Sequence, residues 1–406
     1  MKTTTSFLTW LTSLAAGIMP AAGVEFEPWS YTEKDLFPSA IIATATVDWN
    51  GDEETAEDKK TSDDPKVGKG DAPIYGDENG WMAVSLFDVP AKAKVTVEIS
   101  IDGYLKPSVW TGTIKKAGDE VRIFPKCIWD YDALHQVREQ KPVNVVFKVT
   151  VNGTKLPDQT ETCTLRSIND CPFYVLWDEN GEDFDDFSWM FAAYVNENHP
   201  WIDGILKEAL QSGLISSFTG YQSGNPDEVQ AQVFAIWNVL QRRGIKYSDI
   251  SVTTPSKFVI SQSVRFLDDT IESTQANCVD GTVLMASILR KIGINAYLVM
   301  VPGHCFLAFD SGPGDDDDIV GLETTLLGEN NLKPVKELAT MPEKLKQKEF
   351  AASLKTFASA IAAGSATMDE HAEDLESGEN PDTQLISVSD ARELGIMPIA
   401  SGVKRK

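Results

Sequence analysis

The feature that most constrains this chain is a change of hydrophobic period near residue 170. Before it, apolar residues alternate or run in short blocks rich in Val, Ile, Phe and Thr: IIATATVDW, MAVSLFDV, AKVTVEISID, VRIFPKCIW, VNVVFKVTVNG and ETCTLRSI. A period of two buries one face of a pleated strand. Turn pairs such as Asp102-Gly103 and Asn152-Gly153 punctuate the blocks, as in a sandwich of short strands. After Cys171 the spacing becomes three and four. WIDGILKEALQSG and PDEVQAQVFAIWNVLQRRGI predict helices that end at glycine. Pro226 and Asp227 suit the first turn of the second helix, and Arg242 and Arg243 its last.

Two periods in 406 residues exceed one average core and imply at least two domains. The expected class is α+β: a β-sandwich-like domain over 24–170, then a mixed domain over 171–340. Within the second, KYSDISVTTPSKFVISQSVRFLDDTI reads as extended, followed by a cysteine at the start of a helix. AYLVMVP, HCFLAFD and DIVGLETT follow as strands. From Pro342 onward EKLKQKEFAASLKTFASAIAAG predicts an amphipathic helix, and 341–406 is set apart as that helix and an acidic tail.

MKTTTSFLTWLTSLAAGIMPAAG has one basic residue, a mostly apolar run from Phe7 to Met19 and small residues at Ala21-Ala22-Gly23. This is the pattern of a secretory signal over 1–23 rather than a membrane anchor. It implies a secreted or periplasmic protein with no membrane span after signal removal. The formal charge of -25 repels phosphate backbones and anionic membrane surfaces, and the basic end Lys404 to Lys406 is too short to reverse that. Nucleic acid is excluded as a partner on that ground. Five cysteines leave an odd one in an exported chain. Cys163 and Cys171 flank a short polar loop and are candidates for a small disulfide, with Cys127 a competing partner, while five buried thiols fit equally well.

The chemistry concentrates in QANCVDGTVLMASILRKIGI and VPGHCFLAF. Cys278 precedes an apolar helical face and lies in or just before the first turn, where orphan N–H groups and the positive dipole end favour attack by sulfur. His304 opens a strand after Pro302-Gly303; it shares a face with Phe306, and Cys305 points to the core. In that position His304 can serve Cys278 as a base. Two carboxylates are candidates to orient the imidazole. Asp310 lies on the same strand near its far end, and Glu323 lies on the next strand, where antiparallel pairing brings it beside His304. Glu323 is favoured, since an acid between apolar neighbours needs a partner.

In that order NCVDGTVLMASILRKIGI, VPGHCFLAF and GLETTLLG resemble the core of the transglutaminase-like superfamily of papain-related cysteine enzymes. The upstream SQSVR, with Gln262 and Arg265, is similar to the Gln-x-x-Arg segment that precedes the cysteine in bacterial members. The resemblance covers about residues 220 to 330. It implies a papain-related domain with a helix-borne cysteine packed on an antiparallel sheet, a Cys278 nucleophile, a His304 base and an orienting acid at Glu323. The family acid is most often Asp; here it is Glu, followed by Thr324 and Thr325. The aromatic that the family commonly carries near the cysteine is replaced by Ala276 and Asn277. Gln262 is a candidate oxyanion-hole donor beside the N–H of Cys278.

The expected function is an exported cysteine-dependent amide or peptide hydrolase, or an acyltransferase, that works through a thioester on Cys278 with a protein or peptide as substrate. The alternative is an inactive fold of the same kind that serves as a protein- or glycan-binding scaffold. Asp280 reads as a helix-start charge. Asp48, Asn50 and Asp52 resemble the start of a calcium loop but have Glu53 where glycine is required. Asp315 to Asp318 read as a solvated hairpin tip rather than a calcium site. Asn152-Gly-Thr154 is a glycosylation sequon as well as a turn. His135, His199 and His371 have no close Cys or His partner, so neither metal nor cofactor is called for.

Overall fold

The computed structural model describes residues 23–47, 66–67, 72–77, 79–116, 118–178, 180–249, 253, 255–312, 319–378 and 380–399. The signal run, the calcium-like start at Asp48 to Glu53, the acidic run Asp315 to Asp318 and the basic end Lys404 to Lys406 lie outside them. The chain is mixed α+β with several sheets.

Two sheets take up the strands described between residues 25 and 165. In the five-stranded sheet Met82–Val89 lies between Glu25–Ser30 and Gly118–Phe124. In the seven-stranded sheet Lys141–Val151 lies between Lys94–Ile101 and Gln159–Leu165. Alternation decides which face is buried. Val95, Val97 and Ile99 turn inward from one strand, and Val145, Phe147 and Val149 from its neighbour, with Phe147 paired to Ile99. Val84 and Val121 from the five-stranded sheet enter the same core. Each such fully buried side chain contributes about 2 kcal/mol. Asn152-Gly153 forms the expected turn; Asn152 has φ of 50° and its Oδ1 accepts from Lys94 N at 2.9 Å.

Two blocks depart from the strand pattern. Ile41, Ile42 and Ala43 lie in a short helix, Pro38–Ala43. Proline in the first turn loses no intrahelical bond, because that N–H has no helical acceptor. The helix plugs the junction between cores: Ile41 enters the sheet core, while Ala40 and Ala43 enter the larger core downstream. VRIFPKCIW also divides, since Pro125 has no N–H for a ladder. Gly118–Phe124 joins the five-stranded sheet and Ile128–Trp129 the seven-stranded one.

Downstream, a three-stranded sheet places Asp170–Leu176 between Phe184–Asp186 and Val259–Ser263. A four-stranded sheet has the order Ile319–Leu322, His304–Asp310, Ala296–Val301, Gln384–Ser387. The helix Cys278–Lys291 packs against this sheet through Val283, Leu284 and Ile288, which share a core with Leu307 and Phe309. Both predicted helices form, Pro200–Gln211 and Pro226–Arg242, and Gly213 and Gly244 follow them at positive φ. Leu267–Ser273, expected as extended, is a helix with Asp268 and Asp269 in its first turn.

Residues 351–370 and 384–387 are woven into this unit. The helix Ala351–Glu370 buries Phe357 against Phe234, with centroids 5.3 Å apart, and Trp237 Nε1 donates to Thr356 Oγ1 at 2.9 Å. Gln384–Ser387 then adds the edge strand beside Ala296–Val301. The amphipathic pattern foretold the helix, but its buried face could not name the partner. The five cysteines are free thiols; Cys163 lies in the N-terminal core and Cys171 in the other. No helix among the described residues is long and apolar enough to cross a membrane.

One close approach fixes the strand that leads to Glu323. A Cβ on Gly321 would lie 2.4 Å from the carbonyl carbon of Gly364, so backbone meets backbone where the helix crosses the strand. Gly321→Ala is expected to destabilise the protein by about 2–3 kcal/mol through overpacking. Urea denaturation checks it, and a midpoint equal to that of the parent would refute the contact.

Candidate active site

The cysteine helix begins with a reciprocal cap. Asn277 Oδ1 accepts from Asp280 N at 2.8 Å, and Asp280 Oδ2 accepts from Asn277 N at 3.0 Å. The same carboxylate takes two bonds from Arg265, at 2.7 Å from its backbone N and 2.7 Å from Nη1. The Asp280 side chain is 0% exposed and that of Arg265 is 23% exposed. Burial pushes the Asp280 carboxyl up, against the pull of its bonds to Asn277 and Arg265. The expected helix-start charge is thus also a clamp: it ties the SQSVR segment to the turn that presents Cys278.

Cys278 is half-buried at the first position of the helix. Three residues on, Gly281 lets the helix come down on Thr324; a Cβ there would meet Thr324 Oγ1 at 3.0 Å. Thr282 Oγ1 and Thr324 Oγ1 are 3.4 Å apart. The CVDGT spacing therefore sets how near the cysteine turn lies to the segment that follows Glu323.

His304 begins its strand directly after the Pro302-Gly303 turn, paired with Val301, and Gly303 supplies φ of +74°. Its ring stacks on Phe306 at 6.1 Å and 20°. Cys305 points the other way and is buried in the large core, where burial raises its thiol well above the ordinary value. Alternation along the strand thus separates a core thiol from a cleft imidazole.

Glu323 lies one residue past the strand Ile319–Leu322, at the cap of a single 3₁₀ turn, and not on the strand itself. Its backbone N donates to Ala360 O at 2.9 Å on the crossing helix. Oε1 accepts from Thr325 N at 3.0 Å and Thr325 Oγ1 at 2.6 Å, while Oε2 meets His304 Nε2 at 2.6 Å. One oxygen is anchored and the other aimed. Asp310 is occupied elsewhere, accepting from Asn295 Nδ2 at 2.8 Å and Tyr297 Oη at 3.2 Å.

Interaction with Cys278, the largest influence, together with the bond to Glu323, raises the His304 pKa from its ordinary 6.5 to about 10, against partial burial. Burial pushes Glu323 up, but its bonds from His304 and Thr325 win and hold the carboxyl below the ordinary range. Each member therefore favours a charged partner beside it.

Gln262 joins the group from the adjoining sheet, where it pairs with Cys171. Gln262, Cys278 and His304 line one cleft of about 170 Å³, together with Phe173, Tyr174 and Met300. In this state Gln262 Nε2 donates to Ser263 O at 3.2 Å. Tyr247, which sequence spacing does not bring near the cysteine, pairs with Ala276 and is 46% exposed. Parallel pairing over a separation of 29 positions leaves no local signal for it. Among the other histidines, His199 caps the helix Pro200–Gln211 through Trp201 N and meets Asp268 at 3.3 Å. No group of three or more His, Cys, Asp or Glu among the described residues could hold a metal ion.

No protein-family model matches the chain, and no curated protein matches it.

Two measurements check this geometry. Arg265→Met leaves the buried Asp280 charge without its partner and is expected to cost about 3 kcal/mol, with part of the loss recovered by Asp280→Asn in the same chain. Additive losses in the double variant would refute the clamp. For His304, whose pKa is raised on folding, the stability contribution is complete below 6.5 and is lost as pH rises through about 10. NMR titration should find the imidazole still protonated at pH 8, and its midpoint should fall in Glu323→Gln.

Proposed function

We propose that this chain is an exported, cysteine-dependent amide or peptide hydrolase whose nucleophile is Cys278, built as a β-sandwich-like domain followed by a transglutaminase-like, papain-related domain. The observation that carries the reading is the His304 imidazole held by Glu323 at 2.6 Å on a cleft that Cys278 also lines. A carboxylate fixed by Thr325 and aimed at Nε2 is the arrangement that orients a base and stabilises its charged form.

The chemistry follows from these positions. With its proton passed to His304, the Cys278 sulfur attacks the amide carbonyl; a C–S bond forms as the carbonyl π pair moves to oxygen, and that pair returns as each leaving group departs. The C–N bond then breaks and the amine leaves with the proton from His304. Water attacks the thioester, His304 takes its proton, and the C–S bond breaks to release the acid, the sulfur recovering its shared proton with His304. An amine in place of water would give acyl transfer by the same steps. The N–H of Cys278 and the amide of Gln262 are the proposed oxyanion donors. In that role Gln262 turns from Ser263 O toward the substrate.

Iodoacetamide tests the reading directly. Cys278 should be alkylated at neutral pH roughly tenfold faster than free cysteine, and His304→Ala should remove the difference. Equal slow labelling in both proteins would sink the nucleophile and favour the scaffold. Gln262→Ala should lower turnover of a peptide amide by about a hundredfold while leaving the alkylation rate unchanged, because alkylation has no oxyanion to stabilise.

A further inference from the structure

The cleft has a mixed lining: Phe173 and Met300 are apolar, and Tyr174 adds a phenol. Tyr174 Oη donates to Asp382 Oδ1 at 3.0 Å and to Pro381 O at 2.8 Å, which fixes the segment that brings Asp382 to the cleft mouth. Asp382 is exposed and lines the same cleft as Cys278 and His304. No Lys or Arg lines the cleft among the described residues. A second carboxylate, Asp186, pairs across the sheet with Tyr174; it accepts from Ser188 N at 2.7 Å and from Gln384 Nε2. Two carboxylates, Asp382 and Asp186, thus stand beside Tyr174.

From this arrangement we infer that the cleft selects acyl donors that carry a cationic group beside the scissile carbonyl, with Asp382 as the residue that reads it. The inference rests on the proposed function and adds the substrate class. A basic side chain fits this lining: its methylene stem lies on Phe173 and Met300, and its charged head reaches Asp382 and the Tyr174 ring. A free amino terminus carries the same chemistry without the stem. An acidic residue in that place meets the Asp382 carboxylate and apolar lining, and is excluded. Asp382 is a specificity residue here and takes no part in the bond changes.

N-acetylated peptide vinyl sulfones with Lys, norleucine or Glu adjoining the electrophile test this on the full chain, with a fourth probe having norleucine and a free amino terminus. Sulfur adds to the alkene carbon β to the sulfone, and the carbon next to the sulfone takes the proton from His304, so labelling reads recognition without turnover. At low ionic strength the Lys probe should label Cys278 about fivefold faster than norleucine and at least about tenfold faster than Glu, with the gap shrinking in high salt. Asp382→Asn should abolish the Lys preference and keep the norleucine rate; Asp382→Lys should invert the order. Acceleration of the fourth probe alone would reassign the cation to the amino terminus and overturn the side-chain fit. Equal fast labelling by all probes, or a Lys preference that survives Asp382→Asn, would overturn the inference and leave the nucleophile standing. Uniform labelling at the rate of free cysteine would overturn both.

Discussion

The candidate site depends on the buried carboxylate of Asp280. It closes the cap of the cysteine helix through Asn277 and holds Arg265 by backbone and side chain at 2.7 Å each. A helix start alone leaves its first N–H groups open and its entry angle loose. Here the cap fixes both and fastens the strand segment that carries Gln262. The Gln-x-x-Arg spacing acquires a physical sense: one end of the segment lines the cleft and the other pins it. A buried ion pair is a poor source of stability, and its value in this place is geometric.

Two glycine contacts extend that control to the acid. Gly281 lets the cysteine helix settle on Thr324, and Gly321 lets the crossing helix settle on the strand before Glu323. The acid is thus held between two helices, with Ala360 O on its backbone N and Thr325 on one oxygen. What remains is a single oxygen directed at His304. Positions tuned by backbone approach tolerate no added methyl, whereas polar contacts alone would leave a longer Glu side chain several rotamers. The arm that Glu has beyond Asp is taken up by that anchoring.

Much of this was legible in the chain. The change of period near residue 170, the helices at Pro226 and Cys278 and the hairpin into His304 follow from spacing and turn chemistry. Alternation assigned Cys305 to the core and His304 to the opposite face. Two elements departed for different reasons: Ile41 to Ala43 form a helix because Pro38 and a junction between cores outweigh β propensity, and Glu323 steps off its strand because Thr325 offers its carboxylate a local cap. The chain beyond residue 341 looked separable, since an amphipathic face says that a partner exists and not where. Tyr247 was invisible for the same reason.

By itself, then, the sequence determined which residue types stand at helix starts, turns and alternating faces, because those depend on neighbours a few positions away. It placed a cysteine, a histidine and an acid in an order that matches one chemistry. Only the tertiary structure decided that Glu323 and not Asp310 meets the imidazole, since Asp310 is claimed by Asn295 and Tyr297. The tertiary structure also brought Asp382 and Tyr174 to the cleft from elements 208 positions apart. Long-range contacts of this kind are set by packing of whole faces, and no local pattern encodes them.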